Sequence, residues 1–449
     1  MESRKPQAPT LDLAPPLETS WLERIFKLKL HSTTVRTELI AGVTTFITMA
    51  YIIFVNPNIM ADAGIDHGAA FVATCIAAAL GCLLMGLYAN WPVGLAPGMG
   101  LNAFFTYTVV GTMGYTWEAA LGAVFVSGVL FMLLTLSRVR EWLLNSIPLS
   151  LRHAMGAGVG LFLGVIGLKT AGIIVASPAT LIKLGSLHEP GPLLAAACFL
   201  MIAVLSYRRV FGAILISIIA VTLAGWALGL VEYGGVFSLP PSLAPTWMAM
   251  DVAGVFNVSM ISVVLAFLFV HMFDTAGTLM GVAQRANLVN AEGRIENLSR
   301  ALKADSASSV FGAVVGVPPV TSYVESAAGV AAGGRTGLTA VVVGLLFVAA
   351  MFFAPLAGMI PAYATAGALI YVAMLMMGSM AHINWDEATD SIPAIVTAIM
   401  MPLTFSVADG IALGFITYVV LKAGTGRYRE ISASLWVLCA IFVAKFVFL

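Results

Sequence analysis

Apolar residues run in blocks along this chain, and each block is bounded by charged residues or by Pro and Gly. Between Glu38 and Leu449 the blocks cover residues 38–56, 69–89, 95–111, 118–137, 152–168, 191–206, 210–230, 256–282, 304–317, 321–334, 337–357, 362–378, 391–406 and 407–421. An α-helix needs about 20 apolar residues to cross a hydrocarbon core, so the pattern predicts fourteen membrane spans. A last run, 432–448, fits a further span or a surface helix, and periodicity does not separate the two. Residues 1–36 are polar and Pro-rich, a pattern that predicts no cleavable signal peptide. Within them the mixed stretch Trp21 to Leu30 predicts a helix lying on the membrane surface, with Trp21, Leu22, Ile25 and Phe26 dipping into the interface.

Composition supports a membrane protein, because 60% hydrophobic residues with 10% charged residues cannot cover a soluble surface. Lys and Arg then orient the spans. With the N-terminus inside, the cytoplasmic segments collect Lys27, Lys29, Arg36, Arg138, Arg140, Arg152, Arg208, Arg209, Arg285, Arg294, Arg300, Lys303, Arg335, Lys422, Arg427 and Arg429. The outer loops receive Lys169 and Lys183. The 379–390 loop is acidic and lacks Lys and Arg, so it tests this orientation least. Cys75, Cys82, Cys198 and Cys439 lie in apolar runs without metal-ligand spacing, which argues against disulfides and zinc.

Fourteen spans divide into seven and seven, and a repeat with an odd number of spans inserts in opposite orientations, as in many secondary transporters. The third span carries Pro92, Gly94, Pro97, Gly98 and Gly100. Its counterpart, the tenth, is led in by Gly312, Gly316, Pro318 and Pro319. The fifth and twelfth spans likewise follow Ile147-Pro148 and Ile360-Pro361. Interrupted spans at matching positions of two halves point to a binding site near the midplane.

An ionisable group at membrane depth is costly and is kept where it meets partners or water. Of 22 acidic residues, Asp274, Asp305 and Glu325 fall at that depth, with Glu38 at the mouth of the first span. Glu325 opens a half-helix whose first N–H groups are free for a ligand, and its carboxylate can accept hydrogen bonds from a flat heterocycle. The alternative is an ion pair with Arg335. Asp274 lies mid-span with no Lys or Arg in its span, an environment in which a carboxyl can take up and release a proton; a permanently protonated structural Asp is the other reading. His271 precedes it by one turn and either shares that proton or packs. Asp305 is a candidate for coupling, or a helix cap. Asn102, in the broken third span, offers a donor and an acceptor, and Phe104 or Phe105 can stack on a ring; structural or lipid-facing roles are the alternatives. Ser322, three residues before Glu325, completes the substrate-binding set.

Four motifs carry a resemblance to a known family. They are Thr37-Glu-Leu-Ile-Ala-Gly-Val-Thr-Thr-Phe, Gly-Leu-Asn-Ala-Phe-Phe around Asn102, Phe-Asp-Thr-Ala-Gly-Thr around Asp274, and Tyr-Val-Glu-Ser-Ala-Ala-Gly-Val-Ala-Ala-Gly-Gly-Arg-Thr-Gly-Leu-Thr-Ala from Tyr323. Between Thr34 and Arg429 the chain resembles the azaguanine-resistance-like branch of the nucleobase:cation symporters, related in fold to uracil and xanthine permeases. The resemblance implies a core domain that holds the substrate and a gate domain against which it moves. It also implies acidic substrate contacts at Asp274 and Glu325, an Asn contact at Asn102, and a homodimer through the gate. Ile147-Pro-Leu-Ser-Leu-Arg152, Asn384-Trp-Asp-Glu and Met401-Pro-Leu-Thr-Phe-Ser406 look most like bacterial adenine permeases.

The expected protein is therefore an all-α polytopic membrane protein of fourteen spans in two inverted seven-helix repeats. Its expected parts are a tail (1–36), a first repeat (37–230), a second repeat (255–423) and a C-terminal segment (424–449). The expected activity is uptake of a purine base, adenine before guanine or hypoxanthine, with a proton across the inner membrane, without cofactor or nucleic acid. An anion transporter of the same fold should present cations at its site, whereas these candidates are carboxylates. A membrane enzyme would need metal-ligand clusters or nucleophile motifs, which the sequence lacks. A channel suits broken midplane helices less well than an occluded site does.

Overall fold

The computed structural model describes residues 21–137, 147–178, 180–288 and 295–448. The tail up to residue 20 and the expected cytoplasmic residues Arg138, Arg140 and Arg294 lie outside the described residues. In chain order the first half comprises α1 (Trp21–Phe26), α2 (Val35–Met49), α3 (Ile52–Asp62), α4 (His67–Leu84), β1 (Leu95–Pro97), α5 (Met99–Ala103), α6 (Trp117–Leu136), α7 (Leu149–Thr170), β2 (Ile174–Ser177), β3 (Leu181–Leu184), α8 (Pro190–Tyr207) and α9 (Ala213–Ala227). The second half comprises α10 (Val258–Arg285), α11 (Leu298–Val315), β4 (Val320–Ser322), α12 (Ser326–Ala331), α13 (Gly337–Ala350), α14 (Ala354–Gly358), α15 (Ala362–Met377), α16 (Ala388–Thr404), α17 (Val407–Gly424) and α18 (Ala433–Phe448).

Among the described residues, nine helical stretches are long and apolar enough to cross a membrane, and shorter apolar helices accompany them at Ala213–Ala227, Ala388–Thr404 and Ala433–Ala444. Helix starts follow side chains that accept from otherwise unpaired N–H groups. Thr34 caps α2, Asp66 caps α4 through the Ala69 N–H at 2.8 Å, and Asn257 caps α10 through that of Met260 at 2.9 Å.

The helices pack into two clusters. α13 lies against α2 and α4, α11 against α4 and α6, and α10 against α6. In the second cluster α7 packs on α15 and α16, α16 on α17, and α8 on α9 and α15. The α7–α15 contact is close because Gly160 faces Met376 and the Ala373 carbonyl, and a Cβ there would collide with both. Small residues at such positions allow helix backbones to approach where lipid supplies no hydrophobic drive.

Two expectations change. The fold is not purely helical: β1 pairs with β4, and β2 with β3, as two antiparallel ribbons. The first ribbon forms where Pro and Gly stop the helices, because backbone groups at membrane depth must find partners elsewhere. Phe26 does not dip into an interface; it is buried with Leu28 and Leu338, while Trp21 stays 67% exposed. The structure also shows that the acidic 379–390 loop has its cations supplied from α17 and the segment after it. Lys422 Nζ lies 3.3 Å from Asp390 and 2.7 Å from Glu430, and Arg427 Nη1 lies 3.0 Å from Glu387. Residues 433–448 form a helix that packs on α17, with Phe442 against Phe415.

Candidate functional site

The two interrupted spans meet. β1 and β4 run antiparallel with Leu95 opposite Ser322, Ala96 opposite Thr321 and Pro97 opposite Val320. The Gly98 N–H donates to the Pro319 carbonyl at 2.9 Å, the Tyr323 N–H to the Gly94 carbonyl at 3.0 Å, and the Tyr323 hydroxyl to the Pro97 carbonyl at 2.6 Å. Each strand is followed by a short helix, α5 after β1 and α12 after β4. The chain beyond α5 continues as a π-helix over Phe104–Thr112, a geometry that recurs at functional sites. Backbone polarity is thus satisfied across the ribbon, and the start of α12 is not free for a ligand as expected, because the Ser326, Ala327 and Ala328 N–H groups donate to the Tyr323, Val324 and Glu325 carbonyls in a tight turn.

Glu325 is the residue immediately before α12, and its Oε1 accepts from the Tyr51 hydroxyl at 2.6 Å. It does not pair with Arg335. That guanidinium donates from Nη1 to the Val330 and Gly334 carbonyls, both at 2.7 Å, and so caps the end of α12. α12 sits tight on α2 because Gly329 has no side chain; a Cβ there would strike Thr45 and the Ala41 carbonyl. Glu325 is half-buried and faces a cavity of about 190 Å³. Thr48 and Ala328 line it from the first cluster, and Ser206, Gly212 and Tyr371 from the second. Glu38, by contrast, is fully buried and accepts from the Arg335 and Thr336 N–H groups and from the Thr339 hydroxyl, which ties α2 to the start of α13.

Asp305 lies within α11 and caps nothing. It is 0% exposed and gathers three donors or partners: His271 Nε2 at 2.8 Å and the Thr275 hydroxyl at 2.9 Å on Oδ2, and the Ser322 hydroxyl at 2.7 Å on Oδ1. One carboxylate therefore binds α10, α11 and the ribbon together. His271 is also clamped by the Phe131 ring at a centroid distance of 4.7 Å. Asp274, one turn further along α10, has His271, Asp305 and Glu325 as electrostatic neighbours yet remains accessible.

Asn102 is 0% exposed. Its amide donates to the Asn56 side chain, which donates in turn to the Thr74 hydroxyl at 2.7 Å. The Asn102 Oδ1 is buried without a partner. Phe104 and Phe105 are enclosed, with Phe104 edge-on to Phe267 at 5.0 Å. The structure thus brings Asp274, Asp305, His271 and Ser322 together with Glu325 close by, and places Asn102, Phe104 and Phe105 inside the packing.

Sequence reasoning passed over Tyr51, Thr275, Asn56 and Thr74. Counting only charged residues hid them, although uncharged polar groups in apolar runs carry the same signal: they persist where they find partners. Among the described residues no group of three or more His, Cys, Asp or Glu could hold a metal ion.

A family model described as "Permease family" (Xan_ur_permease) matches residues 36–413. The chain is 51% identical over 428 residues to the adenine permease AdeP of Escherichia coli (strain K12), covering 95% of this chain and 96% of that protein. It is 44% identical over 442 residues to the guanine/hypoxanthine permease PbuG of Bacillus subtilis (strain 168), covering 95% of this chain and all of that protein, 100%. Among solved structures, the transmembrane domain of the cyanobacterial bicarbonate transporter BicA superposes with a TM-score of 0.62 at 16% identity, covering 86% of this chain and 97% of that one. At that identity the likeness is one of fold.

Proposed function

The chain belongs to the xanthine/uracil permease family, and from that premise we propose that it carries a purine base, adenine before guanine or hypoxanthine, into the cell together with a proton. The observation that carries this reading is Glu325: a carboxylate at the start of a half-helix, held by Tyr51 and open to a cavity between the two helix clusters. A purine presents ring and exocyclic N–H groups that such a carboxylate accepts, and charged acceptors give the stronger hydrogen bonds. The greater identity to a permease named for adenine than to one named for guanine and hypoxanthine orders the substrates.

Transport then proceeds by alternating access, with the cluster around residues 35–136 and 258–358 as core and the other as gate, the two halves of the chain being inverted seven-span repeats. The cavity at Glu325 reaches Ser206 and Gly212, which flank Arg208 and Arg209, so it opens toward the face that the positive residues mark as cytoplasmic. Asp274, accessible and close to Glu325, holds the coupling proton. His271 and Asp305 form the buried relay behind it, and Ser322 links that relay to the ribbon. Contact of Asn102, Phe104 or Phe105 with the base requires the third span to shift. The protein sits in the inner membrane with its N-terminus in the cytoplasm and pairs through the gate as a homodimer.

Uptake of labelled adenine, guanine, hypoxanthine and uracil by membrane vesicles, with and without an inward proton gradient, tests this. Gradient-driven adenine accumulation is expected; accumulation that ignores the gradient, or no purine uptake, defeats it. An anion cargo, as in BicA, is disfavoured because the site holds carboxylates where an anion requires cations.

A further inference from the structure

A second cavity, of about 410 Å³, lies at the seam of the two helix clusters, lined by Asp62, Tyr107, Ile166, Lys169, Thr170 and Phe405. Asp62 and Tyr107 belong to the first cluster, and Ile166, Lys169 and Thr170 to α7 of the second. It sits at the far ends of helices that begin beside Arg36 and Arg152, so it opens on the face opposite the Glu325 cavity. Its floor is latched: the Thr108 hydroxyl donates to the Phe405 carbonyl across the seam, and Phe405 holds a left-handed φ of 49°, a conformation that costs energy for a bulky residue.

Above that floor the charges are left open. Asp62 Oδ2 accepts from the Tyr107 hydroxyl at 2.7 Å, and Lys169 forms no ion pair among the described residues, not even with Asp62 across the same space. A carboxylate and an ammonium that share a cavity without touching leave room for a ligand that answers both. A neutral planar heterocycle with an N–H beside an acceptor nitrogen does so, and the Phe405 ring and Ile166 supply a flat apolar wall. We propose that this cavity is an outer receiving site, where the purine base binds between Asp62 and Lys169 before the Thr108–Phe405 latch opens. The proposal rests on the transport reading above.

Proteoliposomes holding the full-length protein in one orientation test it, with KM for adenine measured separately from the outer and the cytoplasmic face. Both side chains are exposed, so Lys169→Met and Asp62→Asn should fold; size-exclusion profiles check this. Each should raise the outer KM by about ten-fold or more, the loss of one charged hydrogen bond, and leave the cytoplasmic KM unchanged. An unaltered outer KM in both variants, or equal changes on both faces, overturns the receiving site. Failure of the unaltered protein to carry adenine overturns the transport reading, and this proposal with it.

Discussion

Carboxylates are treated differently in the two helix clusters. In the first, Asp305, Glu38 and Glu325 rest on hydroxyls, backbone N–H groups and an imidazole, with no Lys or Arg side chain paired to them among the described residues. In the second, Glu387, Asp390 and Glu430 are matched to Arg427 and Lys422 at the helix ends. Fixed cations hold a carboxylate ionised and bind elements together. Hydroxyls, backbone N–H groups and an imidazole hold it in place without a Lys or Arg charge beside it, which suits a group that trades protons or ligand N–H bonds. On the proposed mechanism, the contrast separates the part of the molecule that would change state from the part that braces it.

The most damaging way to break that contrast is Asp305→Ala. It strands the Ser322 and Thr275 hydroxyls and His271 inside the protein, where each buried unpaired polar group costs about 1–3 kcal/mol. We expect a large fall in thermal stability in detergent, and a much smaller one for Asp305→Asn, which keeps an acceptor. Equal melting temperatures for the alanine variant and the unaltered protein would remove Asp305 from its place as the hub.

Glu325→Gln comes next. It removes a charged acceptor worth about 1.5–3 kcal/mol, a loss of roughly 10- to 100-fold in purine affinity, while the Tyr51 contact can persist through the amide oxygen. Equilibrium binding of labelled adenine to purified protein measures it, and an unchanged affinity rejects the assignment. Asp274→Asn mimics the protonated acid and should spare equilibrative exchange of purine while abolishing accumulation driven by a proton gradient. Accumulation with the original pH dependence would move coupling to Asp305 or Glu325.

How far this contrast was legible in the sequence depends on range. Pro92, Gly94, Pro97 and Gly98, with Pro318 and Pro319, announce broken spans through local chemistry, and the structure has a strand and a short helix at each. Asp274 and Glu325 stand out because a charge in an apolar run is conspicuous. Partnerships are another matter: that Tyr51 reaches Glu325, or that Asp305 joins Ser322 to His271, depends on contacts between residues far apart in the chain. The acidic 379–390 loop left the orientation least tested because its cations arrive from later in the chain, Lys422 from the next helix but one and Arg427 from the segment after it.

The smallest expected effect concerns the bracing cluster itself. Glu387 accepts from the Thr389 hydroxyl and N–H and from Arg427, and these hydrogen bonds hold its carboxyl down at about 2. A free Glu titrates near about 4.3, so folding favours the ionised form. Its contribution is present above the unfolded value and is lost as pH falls toward the folded one. The side chain is about one-third exposed, at 32%, and screening by solvent keeps the contribution small. Glu387→Gln should therefore lower the melting temperature by no more than about 2 °C near neutral pH. That gap should narrow as pH drops from about 4.3 toward about 2, and shrink when salt is raised to about 1 M. The Asp305→Ala deficit, arising from buried hydrogen bonds, should not respond to salt. Melting curves of both variants across pH and salt decide the point: a Glu387→Gln gap that stays constant under both treatments would mean that the residue braces by packing rather than by charge.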